Sequence, residues 1–138
     1  MIMPKIILLD TNFLLIPFQF KVDIFSEIAR VCDFSYSLAI IDRSLDELES
    51  IRKNQKGRHK LAADFALKLL KKKDLKIIRT NSNKPVDDLI AEYAGKGFIV
   101  ATQDSALKKK IKSMKCRLIF LRNKRFLKME RKCFTKYR

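Results

Sequence analysis

The sequence has little of what breaks a chain into turns: three glycines and three prolines in 138 residues. That scarcity argues against a turn-rich β-sandwich and against a Pro/Gly-rich disordered polymer, while a hydrophobic content of 47% suffices for a core. No Pro/Gly/Ser-rich stretch divides the chain, and its length is that of one domain. Cysteine is also scarce. Cys32, Cys116 and Cys133 are odd in number and far apart, so no disulfide framework or CxxC zinc site is written here, which fits a reducing compartment. A long hydrophobic run is missing as well. The apolar stretch from Ile6 to Ile16 is interrupted by Asp10 and Asn12, too short and too polar for a membrane span or a signal-peptide core. The expectation is a cytoplasmic protein without a membrane anchor.

Acid is the other shortage. Fifteen Asp and Glu face 31 Lys and Arg, a formal charge of +16 that attracts polyanions, with nucleic acid the natural partner. The last 18 residues carry eight cations against the single acid Glu130, interleaved with Phe126, Phe134 and Tyr137. This segment reads either as a basic helix packed on the domain or as an arm ordered by RNA.

What is present is a regular alternation. Short apolar runs at residues 6–9, 37–41, 75–78, 97–101 and 116–121 have the look of strands buried on both faces. Between them lie helical stripes: Val22, Phe25, Ala29 and Cys32; Leu45, Leu48 and Ile51; Leu61, Phe65 and Leu69; Val86, Leu89, Ile90, Tyr93 and Ala94. Strand and helix in turn mean an α/β fold, with a central, mainly parallel sheet of four to five strands between helical layers. The division expected is a domain over residues 1–121 and a basic extension over 122–138.

In such a sheet the ligand site lies outside the carboxyl ends of the strands. Asp10 directly follows the first strand, and Asp104 follows the run ending at Ala101, so both open onto one cleft. Glu47 and Asp87 come from helices. Each has a structural alternative: Ser44 and Glu47 fit a capping box, Asp87 and Asp88 follow Pro85 in a helix's first turn, and Asp10 and Asp104 fit helix caps. Several carboxylates aimed at one end of a sheet repel one another unless a cation sits among them.

Ile7-Leu8-Leu9-Asp10-Thr11-Asn12 resembles the opening motif of PIN domains, and Ala101-Thr102-Gln103-Asp104 resembles their T-x-D motif. Between them, Asp46-Glu47-Leu48 and the stretch from Val86 through Asp87 to Ala94 resemble the two middle acidic motifs, in order, so that the resemblance spans about residues 5 to 121. It implies that Asp10, Glu47, Asp87 and Asp104 are metal-ligating carboxylates, with Asn12 and Thr102 orienting them and Asp88 an adjacent acid. Some members carry a further acid two residues after the T-x-D aspartate; here that position is Ala106, which weighs against a second metal. No four-cysteine zinc ribbon is present.

The resemblance further implies a metal-dependent ribonuclease using one or two Mg2+ or Mn2+ ions, hard cations that prefer oxygen ligands. Lys108, Lys109 and Lys110, one turn after Asp104, and Arg122, Lys124 and Arg125 are the expected RNA contacts. His59 and the run Lys71, Lys72, Lys73 read as solvated residues. The basic tail is similar to the branch acting in small-subunit ribosomal RNA processing. A VapC-type toxin and a non-catalytic RNA-binding subunit of a ribonucleoprotein stay open as alternatives, as do a homodimer, a ribosomal precursor or an antitoxin as partner.

Overall fold

Ile7, Leu8 and Leu9 are all buried, which a strand achieves only when both of its faces are covered. In the computed structural model, which describes residues 4–130, they belong to β1 (Lys5–Leu9), a central strand of a six-stranded sheet. The chain continues through one 3-10 turn (Asn12–Leu15), α1 (Ile16–Phe20), α2 (Ile24–Val31), β2 (Tyr36–Ile41), α3 (Asp42–Asn54) and α4 (Arg58–Lys72). It goes on through β3 (Lys76–Ile78), α5 (Val86–Gly95), β4 (Ile99–Ala101), α6 (Ser105–Ser113), β5 (Leu118–Arg122) and β6 (Phe126–Glu130).

The strand order is β3-β2-β1-β4-β5-β6, with every pair parallel except β5–β6. From β1 the chain winds outward through β2 to β3, then returns to the other side for β4 and β5. The β1–β4 boundary is therefore a topological switch point, where the loops leaving adjacent strands diverge and open a crevice. Side chains alternate between two cores. Ile7, Leu9, Ile40, Ile99 and Ile119 pack with Phe13, Ile16, Ile24, Ile28, Leu48 and Ala66 on one face. Leu8, Ile41, Val100 and Leu118 pack with Leu89, Ile90, Leu107 and Ile111 on the other. The three-layer α/β/α arrangement expected from the sequence is thus present, each buried Leu or Ile contributing about 1.5–3 kcal/mol. No helix among the described residues is long and apolar enough to cross a membrane.

Three features differ from the sequence expectation. The five-residue α1 was not legible, being too short for a stripe and carrying Pro17 in its first turn. The sheet has a sixth strand, and the described part of the basic terminal segment is neither helix nor arm but β6. Leu127 and Met129 turn toward α2 while Phe126 and Lys128 are exposed, a strand's two-residue period. Asn123 and Lys124, with φ of 55° and 57°, open the three-residue turn, 123–125, that joins β5 to β6. The outer edge of β6 is covered by α2: Arg30 donates to the Leu127 carbonyl at 2.7 Å, and the Leu127 N–H donates to Glu27 at 3.0 Å. Residues 131–138, including the rest of the basic tail with Phe134 and Tyr137, lie outside the described residues. Finally, α3 begins at Asp42, which places Ser44 and Glu47 too far along the helix for a capping box.

Candidate active site

β1 and β4 remain hydrogen-bonded to the end, the Asp10 N–H donating to the Ala101 carbonyl at 2.9 Å. Asp10 is therefore fixed at the mouth of the switch-point crevice, where it is 5% exposed. One carboxylate oxygen accepts the Thr11 N–H at 2.8 Å and the other accepts the Thr102 hydroxyl at 2.6 Å. Thr102, completely buried, also receives the Asp104 N–H at 3.1 Å. Asn12 accepts the Gln103 N–H at 3.0 Å through its side-chain oxygen. The two loops that follow β1 and β4 are thus laced together by the polar residues of both motifs.

Asp104 caps α6, one oxygen accepting the Leu107 N–H at 2.9 Å. It lines the cleft as well, so the cap and the site reading hold together. Glu47, in the second turn of α3, accepts the Thr11 hydroxyl, which ties it to the residue after Asp10. Asp87 stands in the first turn of α5, where no side chain caps the helix. These four acids, with Thr11, Asn12, Leu15, Ser50, Ile51 and Val86, enclose a cleft of about 440 Å³.

The acids feel one another. Burial raises the Asp10 carboxyl to about 6, the bonds from Thr102 and Thr11 oppose this, and the charges of Asp87 and Glu47 add to it. Asp87 is also raised, first by burial, then by Asp104, Glu47 and Asp88, with Lys110 acting against them. A cleft lined by four carboxylates, two of them, Asp10 and Asp87, held back from ionising by burial and by neighbouring acids, has the donor chemistry a hard divalent cation needs. Among the described residues no three of these side chains stand close enough as placed to form a ready coordination group, so ligation requires them to turn inward.

The placement of α5 over the cleft depends on the loop before it. Asp42, at the start of α3, accepts the Thr80 N–H at 3.0 Å and the Thr80 hydroxyl at 2.6 Å. The neighbouring Arg43 guanidinium donates to the Ser82 carbonyl at 3.2 Å and to the Lys84 carbonyl. One helix end therefore carries Glu47 and also clamps the loop that delivers Asp87.

Of the expected RNA contacts, Arg122, Lys124 and Arg125 are exposed on the β5–β6 turn, at the same end of the sheet as the acids. Gln103 links them to the site, its side-chain oxygen accepting the Leu121 N–H at 2.7 Å. The lysine run on α6 splits: Lys108 lies over the Phe120 ring at 5.4 Å, Lys110 pairs with Asp88 at 3.0 Å, and Lys109 is exposed. Sequence reasoning missed Ser50, three residues after Glu47 on the same face of α3, and gave Thr11 no role beyond its place in the opening motif. The helical spacing was enough to find Ser50. Asp42 and Thr80, 38 residues apart, offered no local signal.

The family described as a PIN-like domain matches residues 7–124. Ribonuclease VapC4 of Methanocaldococcus jannaschii is 32% identical over 124 residues, covering 87% of this chain and 92% of its own length. Ribonuclease VapC9 of Archaeoglobus fulgidus is 35% identical over 105 residues, covering 75% of this chain and 73% of its own length. The solved PIN domain endonuclease Utp24 superposes with a TM-score of 0.71 at 25% identity, over 93% of this chain and 92% of that one. A domain of a functionally unknown protein from Methanocaldococcus jannaschii, at TM-score 0.58 and 16% identity over 86% of this chain and 91% of that one, shares the fold.

Proposed function

The chain belongs to the PIN-like domain family and is a nuclease of that family, and we propose that it is an endoribonuclease that hydrolyses RNA phosphodiester bonds with a divalent metal ion, Mg2+ or Mn2+. The convergence of Asp10, Glu47, Asp87 and Asp104 on one cleft, with Asp10 raised by burial and by the charges of Asp87 and Glu47, and Asp87 raised by burial and by the charges of Asp104 and Glu47, supports this reading most directly. A bound divalent ion supplies the positive charge that lets these acids ionise together, activates water and neutralises a phosphate under attack.

The chain's own residues prepare that site. Thr102 and the Thr11 N–H occupy one lone pair on each Asp10 oxygen and fix the plane of the carboxylate. Thr11 ties Glu47 to the loop after Asp10, and Asn12 holds the Gln103 backbone so that Thr102 and Asp104 keep their spacing. Leu15, Ile51 and Val86 supply an apolar wall that excludes water beside the acids. Arg122, Lys124 and Arg125 contact phosphates from the hairpin, and Lys109 does so from α6, while Lys110 balances Asp88 and Lys108 rests on Phe120.

The scattered, odd-numbered cysteines support a cytoplasmic reading. The VapC ribonuclease names of two relatives support the VapC-type role over the ribosomal one. The test uses Asp10→Asn and Asp104→Asn in folded protein, assayed for Mn2+-dependent cleavage of single-stranded RNA. Each is expected to lose at least about a hundredfold in kcat; wild-type rates in both variants would leave the acids as caps only.

A further inference from the structure

Three clusters of cations decorate the helices, and helix electrostatics separates them. A helix favours cations in its last turn and acids in its first. Lys71 and Lys72 close α4, and Lys110 and Lys112 close α6, where the dipole rewards them. The opposite holds at the other end of α4. Its first turn carries Arg58, His59 and Lys60 and no acid, against the direction a 15-residue helix prefers. Charge placed against local stability marks a position kept for another purpose.

The same end of α4 joins α3 through a connection that adds Lys53 and Lys56. Residues 53–60 are all exposed, and none is an acid. The connection is not loose: the Arg58 guanidinium lies 5.6 Å from the centre of the Phe18 ring, and Phe18 packs on Phe65 at 5.9 Å. Phe18 belongs to α1, which leaves the 3-10 turn just after Asp10, so the basic end of α4 is tied to the loops of the cleft. The cleft wall itself climbs α3 from Glu47 to Ser50 and Ile51. At 1.5 Å per residue, Lys53 stands only about 3 to 5 Å of helix beyond that wall.

We propose that the α3–α4 connection, through Lys53, Lys56, Arg58 and Lys60, is a landing surface for the phosphate backbone of a nucleic acid strand whose scissile phosphate lies among the acids. It rests on the ribonuclease reading and extends it. The β5–β6 turn with Arg122, Lys124 and Arg125 lies across the cleft, on the far side of β4. The two basic banks then hold the strand on either side of a floor that alone would repel it. His59 sits exposed among these cations as a bystander.

The test is the triple variant Lys53→Gln/Lys56→Gln/Lys60→Gln, which leaves the Arg58–Phe18 contact intact. The control is Lys71→Gln/Lys72→Gln/Lys76→Gln, an equal charge change away from the cleft. Binding of a labelled 20-nucleotide single-stranded RNA is followed by anisotropy across KCl concentration, in an Asp10→Asn background that keeps the RNA whole. The test variant is expected to bind at least about tenfold more weakly at 0.1 M salt. Its plot of log affinity against log salt should flatten by about 2, at roughly 0.7 per lost phosphate contact. The control should match the parent. In the Asp10 form, the test variant should raise KM on the long RNA with kcat preserved. Equal salt slopes for test variant and parent, in a wild-type protein that cleaves RNA, would overturn this inference alone. A wild-type protein that neither cleaves nor binds RNA would remove the ribonuclease reading with it.

Discussion

Asp10 is held ready by Thr11 and Thr102 yet resists ionisation because it is buried and faces Asp87 and Glu47. The carboxyl is raised from 3.8 to about 6, so between those values the folded state binds the proton more tightly than the unfolded one. Stability therefore falls as pH rises from about 4 to 6, and the loss, about 3 kcal/mol by linkage, persists above that range. Asp10→Asn removes the charge in both states. In chelator, this variant should melt above the wild type at pH 7.5, with the advantage gone at pH 3.5; a variant that melts below the wild type at both pH values would contradict the balance. Thr102→Val should push the Asp10 carboxyl higher still, because a bond favouring the charged form is lost. A pH–rate profile would show this as an acid limb moved toward higher pH.

At this scale the sequence was informative where topology and motif agreed. Asp10 and Asp104 sit at strand ends, and their positions follow from the apolar runs before them. Asp87 and Glu47 were legible as motif but not as geometry, since first-turn acids serve helix dipoles equally well. The start of α3 at Asp42, whose carboxylate accepts from Thr80 38 residues on, separates Glu47 from a capping role.

Among elements, the clamp between α3 and the loop after β3 is the part with the largest leverage on the site. It holds two helices whose acids must meet, and a displacement of about 1 Å of a reacting group can cost about a hundredfold in rate. Asp42→Ala should therefore lower kcat by ten- to a hundredfold with little change in KM, while its circular dichroism stays that of the wild type. Asp42→Asn, which keeps one acceptor for Thr80, should recover part of the loss. Full activity in the alanine variant would show that α5 is positioned by packing alone.

β6 teaches why some elements escaped the sequence. Phe126-Leu127-Lys128-Met129-Glu130 has a strand's alternation, but it is short and follows two positive-φ residues inside a strongly basic stretch, so charge masked the pattern. The inner parallel strands were visible because burial on both faces writes itself as an unbroken apolar run, whereas the edge strand β3 shows a short apolar run although Lys76 and Ile77 are exposed. Pairing of β6 with β5 is local, but its edge protection by Glu27 and Arg30 comes from residues about a hundred positions away.

For the molecule as a whole, a charge of +16 surrounds a cleft built of acids. On the proposed reading the surface draws the polyanion in and the cleft rejects it until a cation is present, so binding and cleavage should separate experimentally. The terminal segment divides the same way. Ending the chain after Glu130 removes four cations but keeps the sheet, and should flatten the salt dependence of RNA binding by up to about 3 while leaving the melting temperature near that of the full chain. Ending it after Arg125 removes buried Leu127 and bares the edge of β5, and should yield a poorly folded, aggregating protein. A well-folded product from the shorter chain would mean that β6 adds little to the core.

The most direct measurement is the anomalous scattering of a crystal soaked in MnCl2. The expected result is manganese in the cleft, bonded at about 2.0–2.2 Å to carboxylate oxygens drawn from Asp10, Glu47, Asp87 and Asp104. A cleft without manganese, in a protein that cleaves RNA equally well in chelator, would contradict the proposal that these acids hold a metal for hydrolysis.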